Sequence, residues 1–256
     1  MADPTQHGVA VELSDVRKRY GDHEVLSGVD LTIEPGKLVA ILGQSGTGKS
    51  VLLRQIIGLE RPDAGRIVVG GIEIERYLAM PPEEKPFRMA MVFQNAALLA
   101  SLTVAENVSL RLRERGGRDA AKIAAITRRV LEQVELGGTE EKLPSELSGG
   151  MRKRVAIARA LAIDPELILY DEPTADLDPI LTEEIGRLIA RICDVRGATQ
   201  IIVTHNLPLA RSLASRIAVL DQGRIAEYST PQELGRSKNP LTREFLRAAA
   251  LEMGGD

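Results

Sequence analysis

Apolar positions change their spacing along this chain, and each change predicts a different element. From 9 to 34 they alternate with polar positions and break at "GDH", so "VAVELSDVRKRY" and "EVLSGVDLTI" read as short strands around a turn. "LVAIL", 38–42, is apolar throughout, the pattern of a central strand buried on both faces. A helix fits 49–58 and a further strand fits "RIVVGG". "ERYLAMPPEEKP", 75–86, carries three prolines and reads as a solvated excursion, and "MAMVF", 89–93, as a strand.

From about 95 to 165 the spacing becomes helical. "TVAENVSLRLRER" begins with Thr103 as a cap, and Glu106 three residues on completes a capping box. "RDAAKIAAITRRVLEQVEL" is a longer amphipathic helix ended by "GG" at 137–138, and "SGGMRKRVAIARALAI" is a third, its start marked by Ser148. The alternation of strand and helix then resumes: "ELILY" a strand, 181–195 a helix, "TQIIVT" a strand, "LPLARSLA" a helix. "RIAVLDQGRIAEY" gives two strands around a "QG" turn of I′ type, and 231–252 is a peripheral helical stretch. The expected fold is α/β, with a core at 9–94 and 166–235, an inserted helical subdomain at 95–165 and a helical extension at 236–256.

Composition narrows the class. Hydrophobic residues make up 44% of 256, with no Trp, three Phe and four Tyr, so the core is aliphatic. A net charge of −3 gives no global basic field, so no nucleic-acid partner is expected; local basic runs remain, for instance "MRKR", 151–154. The single cysteine, Cys193, excludes an internal disulfide, fits a reducing compartment and reads as helix packing. No apolar run approaches the roughly 18 residues of a membrane helix, and the start lacks a basic region followed by an apolar one, so no secretory signal is expected.

The chemistry begins at "GQSGTGKS". Gly43, Gln44, Ser45, Gly46, Thr47, Gly48, Lys49 and Ser50 match G-x-x-x-x-G-K-[ST] in full, between a predicted buried strand and a predicted helix that continues with Val51. Gly46 and Gly48 let successive backbone N–H groups face one anion, and the helix start adds its dipole. Lys49 is a point charge for β- and γ-phosphates, and Ser50 offers a hydroxyl to Mg²⁺. "YDEPTADLDPI", 170–180, drives an apolar strand into four carboxylates: Asp171, Glu172, Asp176 and Asp178. Buried carboxylates need a positive partner. Beside a phosphate loop, Asp171 serves Mg²⁺ through a bound water, and Glu172, turned elsewhere by strand alternation, polarises the lytic water as general base. His205 ends a predicted central strand, at the edge where open α/β sheets bind ligands; His7 and His23 lie in polar turns and carry no signal.

With "LSGG" at 147–150 heading a helix and "LILYDEP" downstream, the chain resembles the ATPase subunits of ABC transporters over roughly 9–235. The resemblance implies a P-loop NTPase core with a flanking antiparallel β subdomain and an inserted helical one. It implies that Tyr20 stacks on adenine and that Gln94 touches Mg²⁺ and the lytic water and senses a membrane partner. Ser148, Gly149 and Gly150 would reach the γ-phosphate bound by a second copy, "ADLD", 175–178, would cross the dimer interface, and His205 would contact the γ-phosphate. Facing two such sites across a dimer buries each ATP between subunits. Integral permease subunits are then expected partners, with the chain at the cytoplasmic face of the inner (plasma) membrane. The groove for a permease helix is expected beside Gln94, lined by "NAALLASLTV".

Met151 stands where many ABC proteins carry Gln, and Asp176 where relatives often have Gly; Asp176 adds charge at the implied interface. "LSGGMRKRVAIARAL", "GQSGTGKSVLLRQIIGL" and "LYDEPTADLDPI" together resemble ATPases of lipid transporters that work with MCE-type lipid-binding proteins. An importer ATPase for a small polar solute is the alternative. A soluble ABC ATPase acting on ribosomes or DNA usually has two cassettes or long coiled-coil arms, whereas this chain has one P-loop and no sustained heptads. A plain P-loop kinase would need neither "LSGG" nor a water-directed Glu.

Overall fold

The computed structural model describes residues 7–114 and 119–253. In chain order it opens with β1 (Val11–Tyr20), β2 (His23–Ile33), β3 (Leu38–Leu42), α1 (Lys49–Ile56), β4 (Ala64–Val69), β5 (Ile72–Glu73), α2 (Ile74–Ala79) and β6 (Met89–Val92). Helices α3 (Val104–Glu114), α4 (Ala120–Gln133) and α5 (Gly149–Leu161) follow, then β7 (Leu167–Asp171), α6 (Pro179–Arg196), β8 (Thr199–Thr204) and α7 (Leu207–Leu213). β9 (Arg216–Asp221), β10 (Arg224–Ser229), α8 (Pro231–Leu234) and α9 (Pro240–Met253) close the chain. The expected helix residues Arg115 and Arg118 lie outside the described residues.

Two sheets result. An antiparallel sheet has the order β2-β1-β4-β5, and a six-stranded sheet the order β10-β9-β3-β8-β7-β6, parallel except at the β10 edge. All five residues of β3 are buried, as a strand covered on both faces requires. Val39 and Ile41 face a core shared with the antiparallel sheet and Leu52, Leu53 and Ile56 of α1. Leu38, Ala40 and Leu42 face the other core, with residues of α3 through α7. Parallel register aligns Leu42 with Thr204, Asp171 with Val203 and Val92 with Tyr170. The chain leaving β3, β6, β7 and β8 therefore emerges along one edge, where open α/β sheets place ligands.

Local chemistry sets most element ends. Thr103 and Glu106 exchange backbone and side-chain hydrogen bonds at 2.9 and 3.2 Å, the expected capping box. Asp178 caps α6 by accepting from Leu181 N at 2.9 Å, with Pro179 first in the helix. The "QG" turn has both central residues left-handed, Gln222 at φ 43° and Gly223 at φ 73°, as a I′ turn requires.

Two expectations need correction. Helix α4 ends at Gln133, not at the "GG" pair, because Glu135 takes the left-handed conformation at φ 61°. Arg154 and Arg191 hold its carboxylate at 2.7 and 2.9 Å, and Leu136 N closes the turn on Leu131 O at 2.8 Å. The stretch 75–86 is mostly exposed, but it holds α2 and buries Tyr77, which stacks on Phe87 with centroids 4.6 Å apart and donates to Phe87 O at 2.8 Å. The basic run is engaged within the chain. Arg152 donates to Leu147 O at 2.6 Å, Arg154 bridges Glu135 and Glu184, and Lys153 is buried on the Gln94 carbonyl.

Candidate functional site

A cleft of about 410 Å³ opens at the shared strand edge. Ser45, Gly46, Gly48, Lys49, Ser50 and Val51 line it from the β3–α1 loop, and Gln94, Glu172 and His205 from the ends of β6, β7 and β8. The loop needs its glycines for identifiable reasons. A Cβ on Gly43 would fall 2.6 Å from Thr47 Oγ1 and 2.7 Å from Leu220 O. Gly48 sits at φ 98°, a left-handed cap from which α1 starts. That cap has no side chain, and the first turn has no acid, so the opening N–H groups of α1 have no side-chain cap. They form a ready anion site at the wall of the cleft.

Lys49 Nζ donates to Gly43 O at 2.8 Å and Gln44 O at 2.9 Å and lies 3.7 Å from Glu172 Oε1. Burial pulls its ammonium below the usual lysine range, with Glu172 and Asp171 pushing the other way. Ser50 Oγ donates to Asp171 Oδ1 at 2.6 Å, the shortest link between the loop and the acidic strand end. Glu172 Oε2 meets His205 Nδ1 at 3.1 Å. The two neighbouring carboxylates thus face different partners. The cause is not strand alternation, as expected: β7 stops at Asp171, and Glu172 turns at φ 45°, its N–H held by Val203 O at 3.0 Å. A left-handed glutamate is costly and is kept where the surroundings over-determine it. Asn206 caps α7 and holds the chain just beyond His205, whose side chain is 62% exposed.

Two buried carboxylates face one buried ammonium, so a polyphosphate entering here needs positive charge beyond Lys49. The hydroxyl of Ser50 and the carboxylate of Asp171 are hard oxygen donors, 2.6 Å apart, of the kind Mg²⁺ takes together with phosphate oxygens. Among the described residues no group of three His, Cys, Asp or Glu converges into a metal cage of its own.

Comparison with known proteins decides the family. A family model described as "ABC transporter" matches residues 26–175, more than half of the chain. The chain belongs to the ABC transporter ATP-binding family. It is an ATPase cassette. It is 38% identical over 239 residues to the probable ribonucleotide transport ATP-binding protein mkl of Mycobacterium tuberculosis, covering 93% of this chain and 67% of that one. It is 40% identical over 242 residues to the methionine import ATP-binding protein MetN of Caulobacter vibrioides, covering 93% and 73%. A dimeric bacterial ABC transporter cassette superposes with TM-score 0.77 at 33% identity, covering 86% of this chain and 98% of that one. The same holds, at TM-score 0.76, for a dimeric post-hydrolysis state bound to ADP and Pi.

Not every expected residue of the cassette meets in the cleft. Ser148 caps α5, accepting from Met151 N at 3.3 Å, and is exposed away from the cleft; Gly149 is half-buried and Gly150 is buried against Leu181. Tyr20 does not line the cleft. The residue is 46% exposed, its hydroxyl bonds Glu60, and Lys18 Nζ lies 5.5 Å from the ring centroid. His23 and Val25 do line it, brought there because the β1–β2 hairpin tip reaches over the loop. His23, expected to carry no signal as a turn residue, therefore stands at the cleft, and nothing within the hairpin sequence marks it. Cys193 is half-buried, and burial pushes its thiol up, in keeping with packing.

Proposed function

We propose that this cassette binds MgATP between two copies of itself and uses its hydrolysis to drive a membrane permease that moves lipid. One observation carries the reading. A single cleft holds an uncapped helix start, a buried lysine, a Ser50–Asp171 pair and a separate Glu172–His205 pair. Lys49 and the opening N–H groups of α1 bind the phosphates. Ser50, by its hydroxyl, and Asp171, through a bound water, would hold Mg²⁺ with Gln94 at the same cleft; the ion would supply positive charge to the phosphates. Glu172 takes a proton from water as that water bonds to the γ-phosphorus, and the broken P–O bond leaves its electron pair on ADP. His205 orients the Glu172 carboxylate and faces the γ-phosphate. Tyr20 comes onto adenine once its hydroxyl leaves Glu60.

The second copy supplies Ser148, Gly149 and Gly150. In one copy none of the three lines its own cleft, and Ser148 is exposed, which fits a role across an interface. Residues 95–165 then act as the signature-bearing subdomain. No helix among the described residues is long and apolar enough to cross a membrane, so attachment at the cytoplasmic face runs through the permease. A groove of about 540 Å³ supports that: exposed Leu59, Leu78 and Leu99 line it, with Phe93 and Ala97 beside Gln94.

The lipid cargo and an MCE-type partner rest on the texture of the three motifs quoted above. The relatives' own names point to ribonucleotide, methionine and sulfate or thiosulfate. The complex purified from its native membrane through the cassette distinguishes them. A permease with an MCE-type subunit and ATPase activity stimulated by phospholipid vesicles is expected. A solute-binding protein and stimulation by a polar solute would place the cassette with the importers instead.

A further inference from the structure

The segment leaving β6 is held in an uncommon way. Ala96 and Ala97 are both left-handed, at φ 57° and 47°, although neither is glycine or asparagine. Adjacent residues in that conformation do not hold it unaided. Three anchors on this segment come from one helix, α5. Lys153 Nζ donates to Gln94 O, and Arg159 donates to Ala96 O at 2.8 Å and Ala97 O at 2.6 Å. Downstream, Asn107 fixes the chain through Leu99 N at 2.8 Å and the carbonyls of Leu99, Leu102 and Thr103.

Both cations are costly where they stand. Burial lowers the pKa of each, and among the described residues neither has a carboxylate at ion-pair distance. Their bonds go to the peptide carbonyls of this one segment. Arg159 reaches the two carbonyls with two different nitrogens of its planar fork, a fixed geometry that a lysine's single ammonium does not reproduce. The segment also joins two cavities: Gln94 lines the nucleotide cleft, while Ala97 and Arg159 line the apolar groove.

We propose that Lys153 and Arg159 are positioning residues that hold the backbone of 94–97 in its left-handed form, so that the helix beginning at the signature also sets where Gln94 meets the nucleotide. This rests on the reading of Gln94 as a site residue.

The test separates the two claims. Hydrogen exchange at Ala96 and Ala97, whose amides bond Phe93 O and Asn95 O, reports the clamp directly. In the full-length cassette, Arg159→Met should speed exchange there about tenfold while the rest of α5 keeps its protection. Arg159→Lys, able to keep one bond, should fall between. Turnover should drop about tenfold in Arg159→Met and Lys153→Met with KM for ATP within about twofold, since the phosphate contacts are untouched. Glycine accepts positive φ without strain, so adding Ala96→Gly and Ala97→Gly to Arg159→Met should recover much of the lost turnover. Unchanged exchange in Arg159→Met, or lost turnover that the glycines do not restore, overturns the inference. Wild-type turnover in Gln94→Ala, measured beside them, would instead remove the reading of Gln94 and leave the exchange result to stand by itself.

Discussion

Helices α1 and α5 both start at a glycine-rich turn, yet the two starts are built differently. At α1 the cap is Gly48 with no side chain, the first residue is a buried lysine, and two buried carboxylates and a histidine stand close by. At α5 the cap is Ser148, whose hydroxyl is already used on Met151 N, and the first turn contains no acid. On the proposed reading, the α1 start carries the phosphate cradle and the hydrolytic residues. The other presents a hydroxyl and backbone donors to solvent, and it is useful only against phosphate brought by another surface. On that reading an eight-residue motif at α1 and a four-residue motif at α5 are two halves of one device.

Removing the charge from the complete half should have the largest effect. Lys49→Ala should cost about 10³-fold in hydrolysis and weaken nucleotide binding, because the phosphates lose their one buried cation. Phosphate release and nucleotide titration check it; wild-type turnover would remove the assignment. Glu172→Gln is next, with hydrolysis down by about 10²-fold and ATP binding kept, since shape and hydrogen bonding survive while proton acceptance does not. Size-exclusion chromatography with ATP and Mg²⁺ should show a longer-lived dimer. Asp171→Asn should sharpen the contrast between neighbouring carboxylates by raising the Mg²⁺ needed for half-maximal binding about tenfold, the scale on which a lost ligand-shell carboxylate acts. An unshifted Mg²⁺ titration would break the division between the two. Ser148→Ala is the smallest. Loss of the cap should lower stability by about 1 kcal/mol and Tm by about 2–4 °C, a shift that calorimetry resolves, whereas α1 has no cap side chain to lose.

How far these halves were legible in the sequence follows from how local their causes are. "GQSGTGKS" declared the cradle because every group needed lies within eight residues. The capping box at Thr103 and the Ser148 cap are equally local, and both formed. Glu172 was assigned a direction different from Asp171 for the wrong reason, since strand alternation could not foresee a left-handed turn held by Val203 of a neighbouring strand. Glu135 ended α4 early because arginines from α5 and α6 hold its carboxylate, partners about 20 and 56 residues away in the chain. Tyr20 bound to Glu60 and His23 at the cleft depend on where a hairpin tip lands, which no spacing within the hairpin states. The run "MRKR" looked like a basic patch, but Lys153 and Arg154 are drawn inward by the Gln94 carbonyl, Glu135 and Glu184.

The claim that the α1 and α5 halves complete each other only across a dimer has a direct test in crosslinked mixed dimers on a Glu172→Gln background. One copy carries Lys49→Ala and the other Ser148→Arg. If sites form across the interface, the two defects meet at one site, and the other site keeps an intact α1 and an intact α5. One nucleotide per dimer should then be trapped. Placing both substitutions in one copy opposite an otherwise intact partner should reverse the result, spoiling both sites and trapping none. The opposite pattern, with none trapped in the first arrangement and one in the second, would mean that each copy uses its own signature and would contradict the account.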